Sequence, residues 1–118
     1  MILVDTSVWV DHFRAGDDRL IRLLERTAVT MHPFVVGELA CGNFVDRKRT
    51  LELLRQLPAA VVAEHDEVLE FILQQRIFGK GIGFVDAHLL ASVALSDDQL
   101  WTRDKRLHSA ASLFDCAF

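Results

Sequence analysis

Short runs of aliphatic and β-branched residues alternate along this chain with longer stretches in which apolar residues recur every three or four positions. The first pattern belongs to strands and the second to helices; their alternation predicts an α/β layer fold around a mainly parallel sheet. Ile2 to Val4 reads as a first strand ending at Asp5, with Thr6 or Ser7 capping a helix that carries Val8, Trp9 and Phe13. Leu20, Leu23 and Leu24 form the stripe of a second helix, whose other face holds Arg19, Arg22 and Arg26. Ala28 to Met31 reads as a strand, and Pro33 opens a helix running to about Gly42. A helix starting at Asp46 or Thr50 carries Leu51, Leu54 and Leu57 and stops at Pro58. Ala60 to Ala63 is a third expected strand, followed by a helix over His65 to Phe78 and a flexible connection through Gly79, Gly81 and Gly83. A very apolar helix, Phe84 to Leu95, then leads to a strand at Gln99 to Thr102, with a last strand expected over Leu113 to Phe118.

Composition narrows the class. A chain of 118 residues that is 51% hydrophobic and 25% charged is expected to fold as one domain over residues 1–118 without staples. That apolar content excludes intrinsic disorder, and no uncharged apolar stretch reaches the ~18 residues of a membrane span. The opening MILVDTSVWV lacks a basic leader and is interrupted by Asp5 and then Asp11, so it reads as part of the fold. Cys41 and Cys116 lack metal-ligand spacing and suit a reduced, cytoplasmic protein, with Cys41 expected as a small buried hydrophobe. The net charge of −4 argues against a purely charge-driven grip on nucleic acid.

Four carboxylates sit in unusual company. Asp5 is the only charge in residues 1–10, Glu38 the only one from Pro33 to Val45, and Asp86 the only one from Ile82 to Ser96. Asp104 follows the short apolar run Leu100-Trp101-Thr102. An unpaired buried carboxylate is costly. Singly, each has an ordinary reading: a helix cap for Asp86, turns for Asp5 and Asp104, a buried ion pair for Glu38. Together they suggest a site. Asp5 and Asp104 fall at the C-terminal ends of expected parallel strands, where open α/β sheets place their ligand crevice. Glu38 and Asp86 are expected in N-terminal halves of helices facing it. Converging carboxylates with all-oxygen donors fit one or two Mg²⁺ or Mn²⁺ ions with open positions, an arrangement used for phosphodiester hydrolysis by an activated water. Ser7 and Thr102 stand beside Asp5 and Asp104 as hydroxyls able to orient a ligand.

The segments ILVDTSVW, VVGELACG, GIGFVDAHLLASV and LWTRDKRL resemble the four acidic motifs of PIN-domain proteins, in order and across nearly the whole chain. In particular they resemble VapC, the toxin ribonuclease of type II toxin–antitoxin pairs. The resemblance implies a three-layer α/β/α sandwich and a Mg²⁺- or Mn²⁺-dependent endoribonuclease. It also implies a homodimer and a small VapB-like antitoxin partner. By motif, Asp5, Glu38, Asp86 and Asp104 would be the catalytic metal-binding acids, with Thr6, Ser7 and Thr102 in supporting roles. Arg103, Lys105 and Arg106 flank Asp104 and are expected RNA contacts.

Other signals are weaker. The run GKGIG at 79–83 lacks both the dinucleotide-binding spacing and a following Lys-Ser/Thr, so it reads as a connection that moves with substrate. The five histidines form no HxH or HxxxH pair. Trp9 and Trp101 read as packing residues rather than base-stacking platforms. A receiver-like switch would want paired acids after the first strand, and a haloacid-dehalogenase-type phosphatase a second Asp at position 7, where Ser7 stands. A non-catalytic PIN-like interaction module remains the alternative, and metal-dependent cleavage of RNA separates it from the nuclease.

Overall fold

The computed structural model describes residues 1–118. Its centre is a three-stranded parallel sheet, β2-β1-β3, formed by β1 (Ile2–Val4), β2 (Val29–Thr30) and β3 (Gln99–Trp101). The register pairs Ile2 with Val29 and with Gln99, Leu3 with Thr30 and Leu100, and Val4 with Trp101. Parallel strands need crossovers, and here the crossovers are helical. They comprise α1 (Thr6–Ala15) and α2 (Asp18–Glu25) between β1 and β2, and α3 (Pro33–Ala40), α4 (Arg47–Leu54), α5 (His65–Gln74) and α6 (Phe84–Ser96) between β2 and β3; α7 (Lys105–Leu113) follows β3. Every residue of β1 is buried, as a central parallel strand covered on both faces requires. Helices α6 and α7 pack on β3, α5 on α6, and α1 on α3. The expected α/β sandwich is the fold observed.

The core gathers 25 buried residues into one cluster. Leu3, Val4, Val8, Leu20, Val35, Leu89, Leu90, Leu100 and Leu107 are sealed from solvent within it. Helix α6 is its largest contributor: Ala87 through Val93 are all buried, which explains why that helix reads as apolar on every side. Trp9 and Trp101 are buried too, and the Arg19 guanidinium lies 4.1 Å from the Phe118 ring centre and 5.4 Å from that of Trp101. Both tryptophans therefore pack rather than offer free faces.

Several expected elements are altered. Ala60–Ala63 forms no strand; one parallel bridge, Met31 to Ala59, is all that adds to the β2 edge. The segment from Leu113 likewise contributes only a bridge, Leu100 to Ala117. In both places the neighbouring strand is too short to template a longer ladder. Helix α3 stops at Ala40, so Cys41 is exposed rather than buried. Helix α5 ends at Gln74, four residues before Phe78. Asp5, not Thr6 or Ser7, occupies the N-cap position of α1.

Candidate active site

Asp5 is placed by the sheet itself. Its N–H donates to Trp101 O at 2.9 Å, extending the β1–β3 ladder by one residue, and the side chain emerges at the strand's C-terminal end. Although it occupies the N-cap position of α1, its carboxylate does not cap the helix. Oδ2 instead accepts from the Ser7 hydroxyl and from the Thr102 hydroxyl, each at 2.7 Å. Those hydroxyls are oriented in turn: Ser7 Oγ accepts from the Arg103 N–H at 3.0 Å and Thr102 Oγ1 from the Asp104 N–H at 3.1 Å. Asp5 is only 6% exposed, and this double support leaves Oδ1 as its uncommitted oxygen.

The other acids follow the same plan of one anchored and one spare oxygen, except Asp86. Asp104 caps α7, with Oδ1 accepting from the Arg106 and Leu107 N–H groups at 2.9 and 3.1 Å. Glu38 Oε1 accepts from Thr6 Oγ1 at 2.7 Å, tying α3 to the start of α1. Asp86 lies in the first turn of α6, half-buried, with no side-chain partner. Its carboxyl is pushed up to about 6, first by burial and then by the charges of Asp5, Asp104 and Glu38. The four acids named from sequence thus meet in one electrostatic neighbourhood. Asp5 is buried, Asp86 is half-buried, and Glu38 and Asp104 are exposed. Glu38 enters from the C-terminal half of α3, not the N-terminal half expected from its sequence position.

None of the four acids has a Lys or Arg within ion-pair distance; the ion pairs of this chain involve Asp11, Asp17 and Asp98 instead. Such a site suits a hard divalent cation in charge and in donor chemistry. No three acidic, histidine or cysteine side chains are drawn close enough to cage an ion unaided. Mg²⁺ commonly takes one or two protein carboxylates and completes its shell with water and substrate oxygens. The donor set fits the group.

Arg103 has a definite position. Its guanidinium bridges Asp11 Oδ2 at 2.8 Å and Asp17 Oδ2 at 2.5 Å, fastening the β3–α7 turn to α1 and to the N-cap of α2. The sequence pattern does not reveal this clamp, although Asp17 three residues before Leu20 is a recognisable helix-start signal. Lys105 and Arg106 remain outside every ion pair. His88, close in sequence to Asp86, is buried against Phe34 and Phe84, with ring centres 4.5 and 4.7 Å away. His12 Nδ1 accepts the Asp17 N–H at 3.0 Å, so it holds the α1–α2 turn.

Comparison with known proteins agrees with this geometry. The PIN domain family model matches residues 2–113. Ribonuclease VapC32 of Mycobacterium tuberculosis, from strains CDC 1551 / Oshkosh and ATCC 25618 / H37Rv, is 50% identical over 113 residues. That match spans 95% of this chain and 91% of the relative. Among solved structures, FitAcB from Neisseria gonorrhoeae superposes with a TM-score of 0.67 at 25% identity, over 99% of this chain and 95% of that one. PAE2754 from Pyrobaculum aerophilum gives 0.67 at 18% identity, over 99% and 87%. FitAB bound to an IR36 DNA fragment gives 0.64 at 23%, over 99% and 92%. With a family model spanning nearly its full length and half its residues shared with a VapC protein, the chain belongs to the PIN-domain family, and to the VapC type within it.

Proposed function

We propose that this chain is the toxin of a type II toxin–antitoxin pair, an endoribonuclease that hydrolyses RNA phosphodiester bonds with Mg²⁺ or Mn²⁺. The carrying observation is the convergence of four acids unpaired with any Lys or Arg, seen in the raised Asp86 carboxyl. Half-identity to Ribonuclease VapC32 supports the choice of RNA. In this reading residues 1–118 act as one PIN domain, and Asp5, Glu38, Asp86 and Asp104 hold one or two ions. A bound divalent ion would supply Lewis acidity toward water and the phosphodiester.

The chain's own residues supply position and charge. Ser7 and Thr102 fix the Asp5 carboxylate from one side, leaving its second oxygen free. Thr6 fixes Glu38, and two backbone N–H groups fix Asp104. Asp86, lacking a side-chain partner, is the acid whose ionised form its neighbours penalise, so it gains most from a divalent ion bound among the four. Hydrolysis by water leaves a 5′-phosphate and a 3′-hydroxyl. A VapB-like antitoxin, a homodimeric state and a cytoplasmic location complete the proposal. No helix is long and apolar enough to cross a membrane.

The test is cleavage of RNA by purified protein with Mg²⁺ or Mn²⁺, set against Asp5→Asn and Asp86→Asn. Both variants should fold and lose cutting. Wild-type rates from both would remove the metal-site assignment. An inactive wild type that still binds an antitoxin would favour the interaction module.

A further inference from the structure

Beside the acidic cluster lies a cavity of about 360 Å³ lined by Lys80, Lys105, Arg106, Ser109, Ala110 and Leu113. Three cations face it and no carboxylate does. None of the three is in an ion pair, so their charge is unspent. The cavity is joined to the site from two directions. Asp104 caps the helix that carries Lys105 and Arg106. Gly83, at the other end of the Gly79–Gly83 connection, stands against Asp86: a Cβ there would lie 4.0 Å from Asp86 Oδ2.

The middle of that connection is where the fit is tightest. Gly81 has φ +73, and a Cβ on it would meet Arg106 Nη1 at 2.8 Å and Cδ at 2.9 Å. That backbone conformation favours glycine, and a side chain there would have to displace the Arg106 guanidinium from its place. The guanidinium of Arg106 therefore rests on bare backbone beside Lys80, between the acid that caps its own helix and the loop that abuts Asp86. Arg103, the other cation of this turn, is committed to Asp11 and Asp17 and cannot contribute without breaking both bonds.

We propose that Lys80, Lys105 and Arg106 form a phosphate-binding subsite for the single-stranded RNA backbone flanking the scissile bond, with Gly81 seating the Arg106 guanidinium. The inference rests on the ribonuclease reading and adds to it a binding residue, Lys80, from the glycine-rich connection. Positioned cations contacting backbone phosphates set register without reading sequence, and their removal weakens binding to all RNAs alike.

The experiment measures fluorescence anisotropy of a labelled single-stranded RNA on the full chain bearing Asp86→Asn, with Mg²⁺, across a salt series. Wild-type cleavage with the same ion is run in parallel as the check on the underlying reading. Lys80→Ala and Arg106→Ala should each weaken binding and reduce the slope of log K against log salt by about 0.7 per charge removed. Arg106→Lys should restore most of the slope, and Gly81→Ala should weaken binding with no charge lost. Unchanged affinity and slope in the Lys80→Ala/Arg106→Ala double variant would overturn the subsite, even if wild type cleaves RNA. Loss of binding to a poly-glutamate peptide, with RNA binding intact, would assign the cavity to an acidic protein segment and equally overturn it. A slope change in protein whose wild type cannot cut would uphold the subsite and remove the ribonuclease reading.

Discussion

Folding shifts Asp86 and His32 in opposite directions, so the two groups give the protein's stability opposite dependences on pH. Burial and three neighbouring acids raise the Asp86 carboxyl from 3.8 to about 6, so the folded chain binds a proton there that the unfolded chain has already released. Stability from this group therefore falls as pH rises through that window. His32 is sealed from solvent, its Nδ1 accepting the Phe34 N–H at 3.0 Å, and burial followed by the nearby His88 lowers it from 6.5 to about 4. The folded chain refuses a proton there that the unfolded chain accepts, so stability falls as pH drops from 6.5 toward 4. In metal-free buffer the two slopes oppose each other. Asp86→Asn should raise Tm by a few degrees at pH 7 and expose a steeper loss toward acid. His32→Asn, which keeps an acceptor for α3, should cost about 2 kcal/mol in packing yet remove the acid-side loss. Thermal melts across pH decide both, and a lower Tm for Asp86→Asn in EDTA would mean the carboxylate is structurally paired. Ser7→Ala or Thr102→Val should lower metal-dependent cleavage about ten- to a hundredfold, since each frees the Asp5 carboxylate from one of its two holders.

Among the elements, those with a continuous apolar signal are legible in the sequence alone. Helix α6 and strands β1 and β3 lie where the pattern puts them, because residues such as Leu89, Leu90 and Leu100 are buried whatever their neighbours do. The pattern misleads where pairing, not burial, decides. Ala60 and Ala63 are buried, while Val61 and Val62 are about half exposed, so the segment packs without a partner strand. The acids are legible because each stands alone among apolar residues. Their anchoring is not, since Thr6 to Glu38 and Thr102 to Asp5 span 32 and 97 positions of sequence. The Arg103 clamp belongs to this scale as well. Asp17→Ala removes both the α2 cap and a clamp partner and should cost about 1–2 kcal/mol in urea unfolding. Asp17→Asn, which still caps, should cost less than half of that, because a half-exposed ion pair contributes little. Equal losses would assign the stability to the ion pair.

For the molecule as a whole, the net charge of −4 takes on a different meaning. Of the 17 Asp and Glu, removing the four converging acids leaves 13, equal to the 13 Lys and Arg. The excess negative charge is therefore accounted for by one cluster, and two divalent ions would cancel it. RNA should bind weakly in EDTA and tightly once Mg²⁺ is restored; equal affinity in both conditions would overturn this account. The same balance leaves the rim around Lys105 and Arg106 free to attract phosphate once the acids are neutralised.

The central position of β1 in the sheet also bears on how the protein is made. Its β3 partner, and the Thr102 that holds Asp5, arrive some 97 residues later in the chain. A growing polypeptide can form α1 through α6 while its middle strand still lacks one neighbour. Such long-range parallel pairing is the slow, late event of folding. A chain ending at Ser96 should show helical circular dichroism but no cutting, with Asp5 unanchored. Synthesis must therefore pass Thr102 before the site that attacks RNA can assemble.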